Sequence, residues 1–245
     1  MRYQMVAVKN VSRLSIAGDA LIQRADGLPG IGAVWGETGA GKTTAVTWFV
    51  NSCHGVYVRA LASWTPSSML RAILNEFNVE PRNGCSCASM VEQIVGKLAE
   101  SGRSVFIDEA DYIIENNKMT DTLRDLHDLA STPLILIGMS GLQKKIGLRA
   151  QLAGRVAQWV EFQPCDLDDA GKLAKTLLSD ITVEEDLLTK LHKESAGSIR
   201  LLVVGLSHIE KRAKAKGIAK IALRDWRRGD SFFLNSTRAE EGKPN

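Results

Sequence analysis

The sequence lacks the features that mark membrane, secreted and disordered proteins. Its 245 residues contain no apolar run near the roughly 20 residues that span a bilayer. The N-terminal residues lack the apolar stretch of a signal peptide. Four cysteines are too few for a disulfide framework in a chain of this length. The composition, 44% hydrophobic and 24% charged, is that of an ordinary globular protein. We therefore expect a cytoplasmic protein without a membrane partner.

Metal-binding and base-stacking residues are also scarce. Cys85 and Cys87 form a Cys-x-Cys in a Gly- and Ser-containing turn. No His or further Cys follows at metal-ligand spacing, so a reduced loop is favoured over a bound metal. Aromatic residues make up 6% of the chain, without the interleaved pattern that stacks single-stranded bases.

Short apolar runs alternate with amphipathic stretches through the first two thirds of the chain. The runs predict strands at Ile31–Trp35, Gly55–Arg59, Ser104–Asp108, Pro133–Gly138 and Gln158–Phe162. Between them, helical periods cover Lys42–Ser52, Ser67–Phe77, Met90–Ser101 and Thr120–Ser131. This alternation predicts an α/β fold with a five-stranded parallel sheet covered on both faces. Only helical periods follow, which predicts an α/β domain over residues 1–163, a small helical domain over 164–230 and a polar tail over 231–245.

A glycine-containing motif lies between the first predicted strand and the first predicted helix. The residues from Gly36 to Thr43 match G-x-x-x-x-G-K-[ST], which disfavours a chance Gly-rich turn in this strand-to-helix context. In such a loop the backbone N–H groups surround phosphates, Lys42 reaches the terminal phosphates, and the Thr43 hydroxyl ligates Mg²⁺. The sequence therefore predicts ATP and Mg²⁺ as cofactors, bound by Gly36, Glu37, Thr38, Gly39, Ala40, Gly41, Lys42, Thr43 and Thr44.

Two adjacent carboxylates end the third predicted strand, 65 residues after Thr43. Asp108 is predicted to hold Mg²⁺ through its water shell, and Glu109 to activate the attacking water. The alternative is that both acids cap the next helix. A water-activating Glu favours hydrolysis over phosphate transfer to a metabolite. After the next strand, Ser140 is placed either to position that water or to cap a helix.

Two further arginines are candidate catalytic residues. Arg155 precedes the fifth strand, where an arginine can reach across a subunit boundary into a neighbour's site. Arg149 is the competing candidate, and a solvated surface residue is the alternative. Arg200, in Gly197-Ser-Ile-Arg, is placed to fold over the phosphates from the second domain, with a plain salt bridge as the alternative.

Taken together, these residues resemble the AAA+ ATPases. The resemblance runs from about Ser12 to Trp226 and implies a P-loop core followed by a helical lid. The stretch from Thr132 to Leu142 and the closing Gly197 to Leu202 look like the B-type transposition proteins of Mu-like phages. That narrower resemblance implies an ATPase that assembles on duplex DNA in a bacterial host cell, as a helical filament or ring, and delivers target DNA to a transposase. Only about 30 residues precede the phosphate loop, too few for that group's N-terminal helix-turn-helix domain.

Basic residues cluster in two places that suit contact with DNA phosphates. Between Lys211 and Arg228 lie eight basic residues and one acid, whereas the whole chain carries only +3. Arg224, Arg227 and Arg228 are candidates there, and Lys118, Lys144 and Lys145 form a second set. A solvated helix face is the alternative for the first cluster. Phosphate contacts position a duplex without reading its sequence, so little sequence preference is expected.

Three candidate functions and two segments without a firm role remain. Besides the transposition ATPase, a helicase loader or initiator-like ATPase fits the motifs, as does a slow nucleotide-operated switch. The segment Val11–Ile16 is placed to supply adenine contacts. The acidic stretch from Glu161 to Asp186 either contacts a neighbouring subunit or faces solvent.

Overall fold

Five parallel strands form the centre of the larger of two units, which comprises residues 9–163. The computed structural model describes residues 1, 4–25, 27–226 and 230–233. The order across the sheet is β2-β3-β4-β1-β5, which confirms the predicted parallel sheet. Each predicted run corresponds to one strand: β1 (Ile31–Gly36), β2 (Val56–Arg59), β3 (Val105–Asp108), β4 (Leu134–Ile137) and β5 (Val156–Phe162).

Burial on two faces explains why these strands are continuous apolar runs. β3 and β4 are buried at every position, as is usual where helices cover both faces of a parallel sheet. On one face, Ile31 and Ala33 of β1 belong to a core that includes Ile73. Phe49 packs against Phe106 of β3, with ring centroids 6.0 Å apart.

Helices surround the sheet in this unit. Those predicted from sequence are confirmed, and each begins within three residues of its expected start. Thr65, Ser86 and Asn116 cap three of them, since each side chain accepts a hydrogen bond from the backbone N–H three residues later. The helices are α1 (Lys9–Ile22), α2 (Lys42–Cys53), α3 (Pro66–Asn75), α4 (Cys87–Ser101), α5 (Asp111–Ile114), α6 (Asn117–Ala130), α7 (Leu142–Gly147) and α8 (Ala150–Ala153).

Helix α1 was not predicted from the sequence. Its buried residues include Val11, Leu14 and Leu21, which recur at helical spacing. Its Gly18 faces Phe49 of α2 so closely that an added Cβ would lie 2.4 Å from the ring. The segment Val11–Ile16, expected to contact adenine, is therefore one part of a helix whose apolar side faces the core.

The parallel order brings three chain segments to one edge of the sheet. β3, β4 and β1 are neighbours, and the carboxyl ends of parallel strands lie at the same edge. The loop after Gly36, the pair Asp108 and Glu109, and the turn at Gly138–Ser140 follow these ends. The phosphate loop, the acid pair and Ser140 are therefore neighbours in the fold.

The smaller unit comprises the described residues of 1–8 and 164–245. Its helices are α9 (Leu167–Leu177), α10 (Glu185–Ser195) and α11 (Ile199–Lys216), followed by a 3₁₀ turn at Leu223–Asp225. Helices alone were expected here, but β6 (Thr182–Val183) and β7 (Lys220–Ile221) form a short parallel pair. Strands of two residues are too short to give an alternating pattern.

The core of the smaller unit is apolar and closely packed. Leu191 and Leu206 are fully buried, and an added Cβ on Gly205 would lie 2.2 Å from Leu191 Cδ1. Trp226 stacks on Phe232 with ring centroids 4.6 Å apart. Across the part of the chain that the structure describes, no helix has both the length and the apolar character needed to cross a bilayer.

Candidate active site

The phosphate loop connects β1 to α2 at the carboxyl edge of the sheet. Gly39 and Gly41 have φ angles of 86° and 85°, in the left-handed region where glycine is favoured. Gly41 occupies the N-cap of α2, so the loop leads directly into a helix N-terminus, where backbone N–H groups and the helix dipole favour anions. The nine residues predicted to bind phosphate therefore lie in this loop and the first turn of α2.

Lys42 lies against the loop that it follows. Its Nζ donates hydrogen bonds to the carbonyl oxygens of Gly36, at 2.6 Å, and Glu37, at 3.0 Å. Partial burial lowers the pKa of Lys42, against the opposing effect of Asp108, Glu109 and Glu37. The ammonium is thus held over the loop, where it would neutralise phosphate charge.

Asp108 is the buried centre of the hydrogen-bond network. Its Oδ2 accepts hydrogen bonds from Thr43 Oγ1 and from Tyr57 Oη, both at 2.9 Å. Its Oδ1 accepts one from the backbone N–H of Glu109, also at 2.9 Å. Asp108 is only 3% exposed. The network links the phosphate loop to the ends of β3 and β2.

The donor set at Thr43 and Asp108 fits magnesium. A hydroxyl oxygen and a carboxylate oxygen lie within hydrogen-bond distance of each other, and Mg²⁺ prefers oxygen ligands while keeping several of its waters. The two residues predicted to hold the ion are therefore adjacent in the fold.

Tyr57 was missed from the sequence because β2 carries no recognisable motif. Its side chain is half buried, and burial together with the nearby Asp108 carboxylate raises the pKa of the Tyr57 phenol well above its usual range. The hydroxyl therefore stays protonated at neutral pH and donates to Asp108. Only the order of strands in the sheet shows that Tyr57 belongs to the site, because β2 lies beside β3.

Glu109 has a different environment from Asp108. Its φ is 55°, a conformation uncommon for a residue with a side chain and often found at functional sites. Its Oε1 accepts from Arg59 Nη2 at 3.2 Å. Arg59 follows Tyr57 on β2 and was also missed from the sequence. The carboxylate predicted to activate water is therefore partly exposed and paired with one cation.

Ser140 lies in the turn after β4, close to the phosphate loop. Its Oγ donates to Glu37 Oε1 at 2.6 Å. Gly141 occupies the N-cap of α7, so the alternative role of Ser140 as a helix cap is wrong. Asp111, also missed from the sequence, fixes this turn because its Oδ2 accepts from the backbone N–H of Met139 at 2.8 Å.

Comparison with known protein families gives a match for the segment that contains this site. Residues 25–146 match the family described as AAA domain. The chain carries an AAA domain. The match includes the phosphate loop, the acid pair and Ser140. No significant match to the curated proteins was found.

The likeness to solved structures covers more of this chain than the AAA domain match does. Cdc6p of Pyrobaculum aerophilum is similar with a TM-score of 0.67 and 18% identity, over 89% of this chain and 64% of its own. The ORC1 protein of Aeropyrum pernix, in complex with DNA, gives 0.62 and 18%, over 86% and 61%. The RuvB Holliday junction branch migration motor of Thermotoga maritima gives 0.60 and 19%, over 90% and 67%.

These likenesses establish the AAA+ fold, with its parallel five-stranded sheet, for this chain. The chain spans less than two thirds of the length of Cdc6p and of ORC1. The narrower resemblance to B-type transposition proteins stays a prediction.

Arg155, one of the two candidate trans-acting arginines of the larger unit, lies away from the phosphate loop of that unit. Arg155 precedes β5, and its carbonyl oxygen accepts from the N–H of Ile31, the first residue of β1. It therefore lies at the edge of the sheet opposite the loop after Gly36. Its guanidinium forms two hydrogen bonds of 2.6 Å with Asp128, which lower the pKa of that carboxyl. Its competitor Arg149 donates to the carbonyl oxygen of Ile114 at 2.9 Å and to Asn117.

Arg200 belongs to the smaller unit. It is exposed in the first turn of α11, and Ser198 is the N-cap of that helix. Within the described residues Arg200 forms no ion pair, so a plain salt bridge is not supported there.

The three lysines of the second candidate DNA-binding set, Lys118, Lys144 and Lys145, differ in their contacts. Lys118 and Lys144 are exposed. Lys145 instead forms ion pairs with Glu115 at 2.7 Å and Asp111 at 2.9 Å, and these raise the pKa of Lys145. Lys118 and Lys144 are thus the members whose charges face solvent.

The basic cluster of the smaller unit is largely neutralised by its own acids. Arg224 is exposed, whereas Arg227 and Arg228 lie outside the described residues. Lys214 pairs with Glu210 at 3.1 Å and Lys216 with Asp225 at 3.8 Å. Two further pairs reduce the local charge, namely Arg212 with Asp230 and Lys220 with Glu184. The excess of basic residues between Lys211 and Arg228 in the sequence therefore overstates the charge available for DNA.

Proposed function

We propose that this protein is a DNA-acting AAA+ ATPase that assembles on duplex DNA when ATP bridges its subunits and disassembles on hydrolysis. The observation that carries the proposal is the network in which Thr43 of the phosphate loop and the buried Asp108 share a hydrogen bond beside Glu109. Such a site suits hydrolysis, because it combines a phosphate cradle, two metal ligands and a neighbouring base.

The residues at the site take separate parts in hydrolysis. Lys42 neutralises charge on the terminal phosphates, while Thr43 and Asp108 hold Mg²⁺. When bound, the ion draws negative charge away from the phosphate oxygens. Glu109 orients a water molecule and accepts its proton on the carboxylate. Ser140, in the turn after β4, is the candidate for positioning that water.

Two kinds of observation support action on DNA. Two of the similar structures are of proteins that act on or bind DNA: ORC1 is in complex with DNA, and RuvB is a Holliday junction branch migration motor. In this chain, Lys118 and Lys144 are exposed, and no described residue forms an ion pair with either. Their chemistry suits the phosphate backbone of a duplex with little sequence preference.

Arg155 supports the assembly part of the proposal. It lies at the edge of the sheet opposite its own phosphate loop, so its role in hydrolysis requires a neighbouring subunit. We assign it as the residue that stabilises transition-state charge in that neighbour, with Arg200 responding to the nucleotide from the smaller unit.

The finer role proposed is delivery of target DNA to a transposase, on the resemblance of the Thr132–Leu142 and Gly197–Leu202 stretches to B-type transposition proteins. An initiator-like or loader ATPase is the second candidate, favoured by the likeness to Cdc6p and ORC1. A slow nucleotide switch is the third.

Electron microscopy of the protein with duplex DNA, with and without ATP, distinguishes these roles. Helical filaments support the transposition role, and discrete closed rings support a loader. Absence of any nucleotide-dependent assembly favours the switch. The Lys42→Ala variant is the control, because it is expected to lose ATP binding and DNA assembly together. ATP-dependent DNA binding that survives in Lys42→Ala would contradict the nucleotide assignment.

A further inference from the structure

A third donor to Asp108 comes from a strand that carries no nucleotide-binding motif. Thr43 and the Glu109 backbone belong to motifs in the sequence, but Tyr57 belongs to β2. The Tyr57 hydroxyl lies 2.9 Å from Asp108 Oδ2, the oxygen that also accepts from Thr43 Oγ1. An ionised carboxylate accepts hydrogen bonds and cannot donate, so Tyr57 is the donor.

The sheet explains how Tyr57 reaches this carboxylate. β2 and β3 pair in parallel, with Tyr57 opposite Phe106 and Arg59 opposite Asp108. Two residues along a strand correspond to roughly 6.6 Å, a distance that the length of a tyrosine side chain covers. Tyr57 and Phe106 lie on the same side of the sheet as α2, since Phe106 packs on Phe49 of that helix.

The three donors together fix the Asp108 side chain. One oxygen receives two hydrogen bonds and the other receives one, and the residue is buried. Thr43 serves two purposes here, because its hydroxyl is also a candidate metal ligand. Of the two side-chain donors to Oδ2, Tyr57 is the one that would have no part as a metal ligand.

We propose that Tyr57 is a positioning residue for the magnesium site, holding the Asp108 carboxylate in the orientation that supports the hydrated ion. This inference rests on the proposed ATP and Mg²⁺ site but not on any role with DNA. Tyr57 touches neither nucleotide nor metal in this assignment and acts through Asp108 alone.

The test is the metal dependence of nucleotide binding by the full chain. Fluorescent mant-ATP is titrated at increasing Mg²⁺, and separately with EDTA, for wild type, Tyr57→Phe and the control Tyr112→Phe. Phe keeps the ring and its volume, and Tyr112 is a tyrosine that is 43% exposed on α5. In Tyr57→Phe we expect the half-maximal Mg²⁺ concentration to rise about tenfold or more, because a hydrogen bond to a charged group is lost. Binding in EDTA should be unchanged.

A double-mutant comparison separates positioning from a general effect on folding. In an Asp108→Asn background, the added Tyr57→Phe change should shift the metal dependence no further, because Tyr57 acts through the Asp108 carboxylate and this background lacks it. An equal shift in both backgrounds would overturn the proposal, as would equal metal dependence in wild type and Tyr57→Phe. A wild-type chain whose nucleotide binding ignored Mg²⁺ would instead overturn the metal site itself, and the role of Tyr57 with it.

Discussion

Two adjacent carboxylates at the end of β3 have different surroundings, and this difference assigns their roles. Asp108 is buried and accepts three hydrogen bonds, so its position is fixed. Glu109 is partly exposed and meets only the guanidinium of Arg59 among the described side chains. A fixed carboxylate suits a metal ligand, whereas one with free lone pairs suits a base.

Replacing the base should separate binding from hydrolysis. In Glu109→Gln we expect ATP hydrolysis to fall by about 100-fold or more, because an amide cannot accept the proton of water. ATP binding should persist, since the phosphate loop is unchanged. Steady-state phosphate release and equilibrium nucleotide binding measure the two effects. Wild-type turnover in Glu109→Gln would rule out this residue as the base.

Removing the cation beside the base should have the opposite effect on rate. The ion pair with Arg59 engages Glu109 Oε1, so Arg59→Ala frees that oxygen to accept from water and is expected to raise hydrolysis without DNA about two- to fivefold, the range of an exposed ion pair. Arg59→Lys should stay closer to wild type. Arg13→Ala, at an exposed arginine of α1, is the control. A lower rate in Arg59→Ala would mean that Arg59 orients Glu109 productively.

At the scale of elements, the order of strands and helices along the chain was predictable, but which strands lie side by side in the sheet was not. Buried parallel strands are short apolar runs, so each of the five was visible in the sequence. Tyr57 and Arg59 were not, because their roles depend on β2 lying beside β3, and no local pattern records strand order. Helix α1 was missed although Val11, Leu14 and Leu21 have helical spacing.

The amide of Asn10 attaches α1 to the end of β5. Its Nδ2 donates to the Gln163 carbonyl oxygen at 2.7 Å, and its Oδ1 accepts from the Gln163 N–H at 3.1 Å. Asn10 is buried, so Asn10→Ala leaves two backbone groups unpaired and should lower the free energy of unfolding by about 1–3 kcal/mol. Urea unfolding compared with the exposed-site control Ser12→Ala measures this. Equal stability of the two variants would show that water replaces the amide.

For the whole molecule, the position of Arg155 predicts a shared active site. Arg155→Ala should bind ATP but lose turnover, and mixing it with Glu109→Gln protein should restore hydrolysis. In an equal mixture, about a quarter of head-to-tail interfaces combine an intact Glu109 with an intact Arg155. Arg149→Ala, mixed in the same way, tests the competing arginine. A mixture that stays inactive would argue against a trans role for Arg155.

The distribution of charge over the whole molecule predicts which surface meets DNA. Four of the basic residues from Lys211 to Lys220 are paired with acids of their own unit, whereas Lys118 and Lys144 face solvent. Each phosphate contact contributes about 0.9 to the slope of log affinity against log salt. Replacing Lys118 and Lys144 with Ala should therefore lower the magnitude of that slope by about 2 for duplex DNA, across unrelated sequences. The matched variant replaces Lys211 and Arg224, which are exposed members of the other cluster. A larger change in that variant would place the DNA on the smaller unit, because the slope counts the phosphates each surface neutralises.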